Sequence, residues 1–237
     1  MTSNFFKNFL WNFNTLALFL LGSVGFSSVA APILFPKEDP LKQEKVDALF
    51  FIEMTMGPNN PVSYIKQSKK IIFWANSWED PLFKVDLGTG ALPPAFIPIS
   101  EANESRVHQD VELQCQCKVN KEDLLGVLIA DPRVAALMYF RAGWNNKTGE
   151  EVDGAVAPVV IIYHEFAHAY DSLINPEGFL DMAVNPDRRW KNEAEKSAVE
   201  KQNDFVNTMN FLKKPVGKLR LSYGKNQLYR VSHFLEF

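Results

Sequence analysis

The stretch that most constrains this chain runs from Pro158 to Asp171, where the apolar run Pro158-Val159-Val160-Ile161-Ile162-Tyr163 leads straight into His164-Glu165-Phe166-Ala167-His168. A segment that is apolar on every side reads as a helix buried in a core. Such a helix must satisfy its two imidazoles and its carboxylate, because unpaired polar groups are costly to bury. In helical register His164 and His168 stand one turn apart with both rings on one face, the placement in which two nitrogens hold one zinc ion. Glu165 then sits beside the first ligand, where its carboxylate can take a proton from a zinc-bound water, as the general base of a metal-dependent hydrolase does. The competing reading is a chance match whose histidines are satisfied core residues. Asp171 shares the face of the histidines and reads either as a group orienting a ligand imidazole or as a solvated residue near the helix end.

Two histidines leave a catalytic zinc site incomplete, since such a site takes three protein ligands and a water. His108 and His233 qualify by residue type alone. A carboxylate on a following helix is the other solution, and the helix expected from Trp190 to Leu212 carries Glu193 and Glu195. At about 100° per residue, Glu195 falls among Ala198, Val199, Val206 and Met209, the face that must pack inward, while Glu193 falls opposite with Ser197, Glu200 and Asp204. A carboxylate in a buried face needs a partner, and a zinc ion is one. Glu195 is therefore the expected third ligand, with a buried salt bridge as the alternative. Arg220 and Tyr223, three residues apart, offer a cation and a phenol for an oxyanion, or else form a surface pair.

The order His164-Glu165-Phe166-Ala167-His168-Ala169-Tyr170-Asp171, then Glu195-x-x-Ala198-Val199, then Arg220-x-x-Tyr223 resembles the effector-type zinc metallopeptidases of the NleD and HopH kind. These bacterial proteins share a metal-site plan with the clostridial neurotoxin proteases. The resemblance covers residues 158–223 and implies that His164, His168 and Glu195 are zinc ligands, Glu165 the base, and Arg220 with Tyr223 the transition-state stabilisers. Two departures stand out. Glu200 occupies the position where the family commonly has glycine, and effectors of this kind usually lack a cleavable export signal. The resemblance therefore carries the protease chemistry and not the family's substrates.

An export signal is what the N-terminus suggests. Residues 4–31 carry a single charge, Lys7, ahead of Leu16-Ala17-Leu18-Phe19-Leu20-Leu21, and Ser28-Val29-Ala30 has the small-x-small form of a cleavage site. Residues 1–30 are read as a signal peptide cut near Ala30, and residues 31–237 as one zinc metallopeptidase domain, secreted or periplasmic. An uncleaved membrane anchor is the alternative, and a buried helix of a cytosolic protein a third. With 237 residues, 46% of them hydrophobic, the chain has enough apolar content for one domain with a core. A net charge of −3 without a basic stripe gives no expectation of nucleic-acid binding. Cys115 and Cys117 read as buried apolar thiols, because a C-x-C pair in a strand bridges only with strain. Asn103 and Asn146 begin N-glycosylation sequons.

Residues 46–56 and 71–75 read as strands, 86–98 as loop, and 111–119 as the cleanest period-two strand. Residues 124–140, broken at Asp131-Pro132, leave helix and strand open, and 143–154 reads as a polar loop. The expectation is an α+β, zincin-like fold with a central His-Glu-x-x-His helix, a mainly antiparallel sheet and a second ligand-bearing helix. The expected function is zinc-dependent hydrolysis of peptide bonds, with a protein or peptide as partner and no stable membrane span after signal cleavage. The rivals are an inactive zincin-like secreted or membrane-tethered binding protein, and a zinc hydrolase acting on a non-peptide bond.

Overall fold

A computed structural model describes residues 32–75, 94–140, 151–187, 189–221 and 226–237; the expected signal peptide, the sequon at Asn146 and Tyr223 lie outside these. In chain order they form strand β1 (Ile33–Leu34), helices α1 (Lys42–Met56) and α2 (Pro61–Gln67), strands β2 (Ile71–Ala75) and β3 (Ala95–Pro98), helix α3 (Glu104–Cys115), and strands β4 (Leu124–Ile129), β5 (Val134–Phe140) and β6 (Glu151–Val156). Helices α4 (Pro158–Ile174) and α5 (Pro176–Val184), strands β7 (Pro186–Asp187) and β8 (Lys191–Asn192), helix α6 (Glu193–Phe211) and strand β9 (Asn226–Arg230) follow. The fold is a mixture of helices and small sheets, in keeping with the α+β expectation.

All five residues of β2 are buried, as they must be in a strand covered on both faces. Ile72, Trp74 and Leu128 belong to the core cluster that contains α4, whereas Ile71, Phe73, Val127 and Ile129 pack with Val107 and Val111 of α3 on the other face. The sheet runs β1-β2-β4-β3, with β1, β2 and β4 parallel and β3 antiparallel at the edge, so it is mixed rather than mainly antiparallel. A second sheet, β6-β5-β9, is wholly antiparallel. Helix α4 packs between these parts, against α2, α5 and α6 and against strands β3, β4 and β5. Its sequence explains the placement. Val159, Val160, Ile162, Phe166, Ala167 and Ala169 are wholly buried, and Phe166 meets Trp74 edge-on at 5.7 Å. Tyr163 stacks on Phe205 at 4.9 Å and sets α4 against α6.

Several expectations from sequence are corrected. Residues 46–56 lie in helix α1, not a strand, because the residues turned inward are Lys45, Ala48, Leu49 and Ile52, a helical spacing. Val46, Phe50 and Met54 stay exposed and fill in the other faces with apolar residues, which hides the period. Lys45 itself is buried, its ammonium donating to Asp39 Oδ2 at 2.7 Å and to the carbonyls of Trp74 and Ala75 at 3.3 Å. Residues 111–115 close helix α3 rather than opening a strand, and the Leu113 that the alternation would bury is 65% exposed. Gln116 then turns left-handed, at φ 53°, and brings Cys117 back to Cys115. The two form a disulfide with Cα atoms 5.2 Å apart, a distance a bridge spans and an extended C-x-C does not offer, so they are not free thiols. Strands β3 and β6 stand where loop was expected, and 124–140 resolves into two strands turning at Asp131-Pro132.

Candidate metal centre

The middle of one helix and the start of another build the site. Helix α4 presents Ile161, His164, Glu165 and His168 on one face, the i, i+3, i+4, i+7 spacing, and all four line a cavity of about 470 Å³. Helix α6 begins beside it. Its N-cap Asn192 accepts from the Glu195 N–H at 2.8 Å, the local chemistry that starts the helix. An Asn with a Glu three residues on is the form of a capping box, but here the carboxylate turns away from the cap to the imidazoles.

Glu195 Oε2 lies 3.3 Å from His164 Nε2 and 3.5 Å from His168 Nε2, and the two Nε2 atoms are 3.1 Å apart. Donor atoms at about 2.0–2.1 Å from one tetrahedral ion stand about 3.3 Å from each other, so this triangle has the dimensions of a zinc ligand set. His164, His168 and Glu195 form a group that can hold a metal ion, their ligand atoms all within 4.8 Å of one another. The chemistry of the donors agrees: imidazoles with a carboxylate suit a borderline cation.

Protonation follows from the geometry. Burial pushes His164 down to about 4, helped by His168 and Arg220 and opposed by Glu195, so its ring is neutral and able to ligate. Burial also disfavours charge on His168, but the carboxylates of Glu195, Glu165 and Asp171 outweigh it and raise its pKa. For Glu195 burial works against the anion, yet the two histidines beside it prevail and hold its pKa well below the usual carboxylate range. A cation at this cluster would compete with protons for the same ligand atoms.

Glu165 is 5% exposed. Burial raises its pKa to about 7, with Glu195 adding to the effect, while His168, the backbone N–H of Phe96 and Arg220 act the other way. The edge strand β3 thus anchors the carboxylate that the sequence assigns as base. Arg220 lines the same cavity, 5% exposed, its backbone fixed to Asn203 of α6 by two bonds of 2.8 Å.

The remaining candidates do not join the site. His108 sits on α3 with Nε2 2.6 Å from the Val119 carbonyl, and His233 stacks on Phe234. Glu193 is exposed. Asp171 is neither solvated nor bonded to a ligand imidazole: it accepts from Ser197 Oγ at 2.8 Å and Lys201 Nζ at 3.0 Å, bracketing α4 to α6. The Asn103 amide is committed to its own turn, bonding Ser100 N and the Pro98 carbonyl.

One residue was missed. Gln202 of α6 is 3% exposed, and its Oε1 accepts from His164 Nδ1 at 3.0 Å, which leaves Nε2 as the ligating nitrogen. Its signal was present, since Gln202 lies two turns beyond Glu195 in the same inward face of α6. Lys191, left-handed at φ 74°, places its ammonium 3.9 Å from the other Glu195 oxygen.

The site thus defines a His-His-Glu group, its histidines buried and Glu195 partly so, with an adjacent carboxylate and a guanidinium. No family model matches the chain, and no similar protein is found among curated sequences or solved structures. Among the described residues no helix is long and apolar enough to cross a membrane.

Proposed function

We propose that the chain is a zinc-dependent metallopeptidase with a zincin-like plan, of the effector type its motifs resemble, exported and acting on protein or peptide substrates. The observation that carries this reading is the meeting of His164 Nε2, His168 Nε2 and Glu195 Oε2, from two helices far apart in sequence, beside a buried Glu165. Zinc held by those three residues supplies Lewis acidity and a water acidified toward neutral pH.

The chain's own groups do the rest. Glu165 follows a ligand directly and lines the cavity, so it takes the proton of the attacking water and passes it to the leaving amine. Its bond from the Phe96 N–H keeps the carboxylate in place for that transfer. Arg220 holds a fixed positive charge at the cavity wall, where the substrate carbonyl oxygen gains negative charge, and Tyr223 is its proposed partner. Gln202 keeps His164 in the tautomer that ligates.

The test is Glu165→Gln, assayed for zinc content and for cleavage of an unfolded protein substrate. Retained zinc with a loss of at least a hundredfold in turnover is the expected outcome. Wild-type turnover in that variant removes Glu165 as base and the mechanism with it.

A further inference from the structure

Cys115 and Cys117 form a pair that the hydrolytic chemistry leaves unused. They stand at the end of α3, which packs on the sheet face opposite α4, so the pair lies across the sheet from the metal centre. Both are half-buried, packed against the cluster of Val107, Val111 and Val119 while still reached by solvent. A bridge stabilises a fold mainly through the loop it closes in the unfolded chain, and the gain grows with the length of that loop. Here a single residue, Gln116, separates the two cysteines, so the gain is among the smallest a bridge can give. The turn does not depend on it. The Lys37 N–H donates to the Gln114 carbonyl at 2.9 Å, the Val119 N–H donates to Glu112 Oε1 at 3.1 Å, and His108 Nε2 lies 2.6 Å from the Val119 carbonyl. These bonds hold the chain on both sides of the pair without help from the sulfurs.

The oxidised form also carries two local costs. Gln116 is left-handed at φ 53°, a conformation that a residue with a Cβ adopts unfavourably. The side-chain amide of Gln114 has its oxygen and nitrogen both buried with no hydrogen-bond partner among the described residues. Reduction frees the last turn of α3 to relieve both. The Cys115 thiol that reduction creates has acceptors at hand, since the carbonyls of Glu112 and Cys117 lie 3.8 and 3.7 Å from its sulfur. The surrounding charges suit exchange as well. Lys37 Nζ donates to Gln116 Oε1 at 2.6 Å, and Lys118, 92% exposed, follows Cys117. One cation thus holds the residue between the sulfurs and another stands next to the second, where thiolates arrive and leave. Glu112 is the opposing carboxylate, and Lys118 engages it at 3.3 Å.

We infer that Cys115 and Cys117 are a redox-active couple, exchanging with low-molecular-weight thiols while the chain stays folded. A thiolate attacks one sulfur of the bridge and forms a mixed disulfide, and the other cysteine leaves as a thiolate that takes up a proton. A second thiolate cleaves the mixed disulfide and releases the first cysteine. Two thiols are thereby oxidised to one disulfide, the bridge is reduced to two thiols, and the protons of the incoming thiols end on the two cysteines. Accessible bridges belong to the labile, exchanging kind rather than to the kind that holds a fold together. The inference does not depend on the peptidase reading.

The folded full chain is incubated without denaturant in millimolar reduced glutathione, then in oxidised glutathione, trapped at each stage with N-ethylmaleimide and weighed by mass spectrometry. About two labels per chain after the first incubation and none after the second, with circular dichroism unchanged throughout, is the expected result. A bridge that is reduced only once urea unfolds the chain overturns the inference, and so does a chain whose cysteines stay reduced in oxidised glutathione. The double variant Cys115→Ser, Cys117→Ser supplies a second measurement. Its urea midpoint is expected to lie close to that of the oxidised wild type, and a double variant that does not fold assigns the bridge a structural role and overturns the inference.

Discussion

Replacing Gln202 by leucine separates a residue that positions a ligand from one that merely fills space. Gln202 Oε1 accepts from His164 Nδ1 at 3.0 Å, while its Nε2 has no hydrogen-bond partner among the described residues although buried. The variant strands a buried imidazole N–H, which costs about 1–3 kcal/mol, and removes an unpartnered amide nitrogen whose burial costs a similar amount. The two nearly cancel, so the stability of the metal-free protein should stay within about 1 kcal/mol of wild type in urea unfolding. Zinc affinity has no such compensation. Losing the group that fixes a ligand imidazole lowers metal affinity by about 10–100-fold, or about 1.4–2.8 kcal/mol, measured by competition with a chelator of known affinity. Unchanged zinc affinity in a correctly folded Gln202→Leu protein would refute the reasoning, and so would a loss of metal-free stability large enough to explain the weaker binding.

Two further outcomes follow from the packing and the charges. Phe166→Ala empties a site that is wholly buried against Trp74, and thermal unfolding should report a loss of about 3–5 kcal/mol. The hydrogen bond from Arg133 holds the Glu44 carboxyl below its ordinary 4.5, so the pair's contribution is present above that value and is lost as pH falls through the folded pKa. Because both side chains are about a third or more exposed, Glu44→Gln should cost no more than about 1 kcal/mol at neutral pH, with the difference from wild type vanishing in acid. A difference that persists at pH values below both pKa values would assign it to packing.

What the sequence made legible is what its periodicity carried without interference. Helix α4 shows an apolar face broken only by groups that must be paired, and Glu195 interrupts an otherwise inward-facing stripe of α6. The same argument applied one step further reaches Gln202. Strand β2 was legible because five consecutive buried apolar residues between polar segments suit a strand covered on both faces. Helix α1 was not, since exposed Val46, Phe50 and Met54 blur its stripe and a lysine occupies an inward position. Alternation over residues 111–119 matched a strand by coincidence, because only Val111 of those in the helix is buried and the chain reverses at Gln116. That reversal, and hence the Cys115–Cys117 bridge, depends on a left-handed residue that no local pattern marks.

The most direct test of the account is the zinc content of the purified, folded chain, wild type beside Glu195→Ala. About one tightly bound zinc per wild-type chain, lost in the variant, is what a site closed by His164, His168 and Glu195 predicts. A wild-type chain that holds no zinc after reconstitution, or a variant that holds as much as wild type with equal affinity, would contradict it.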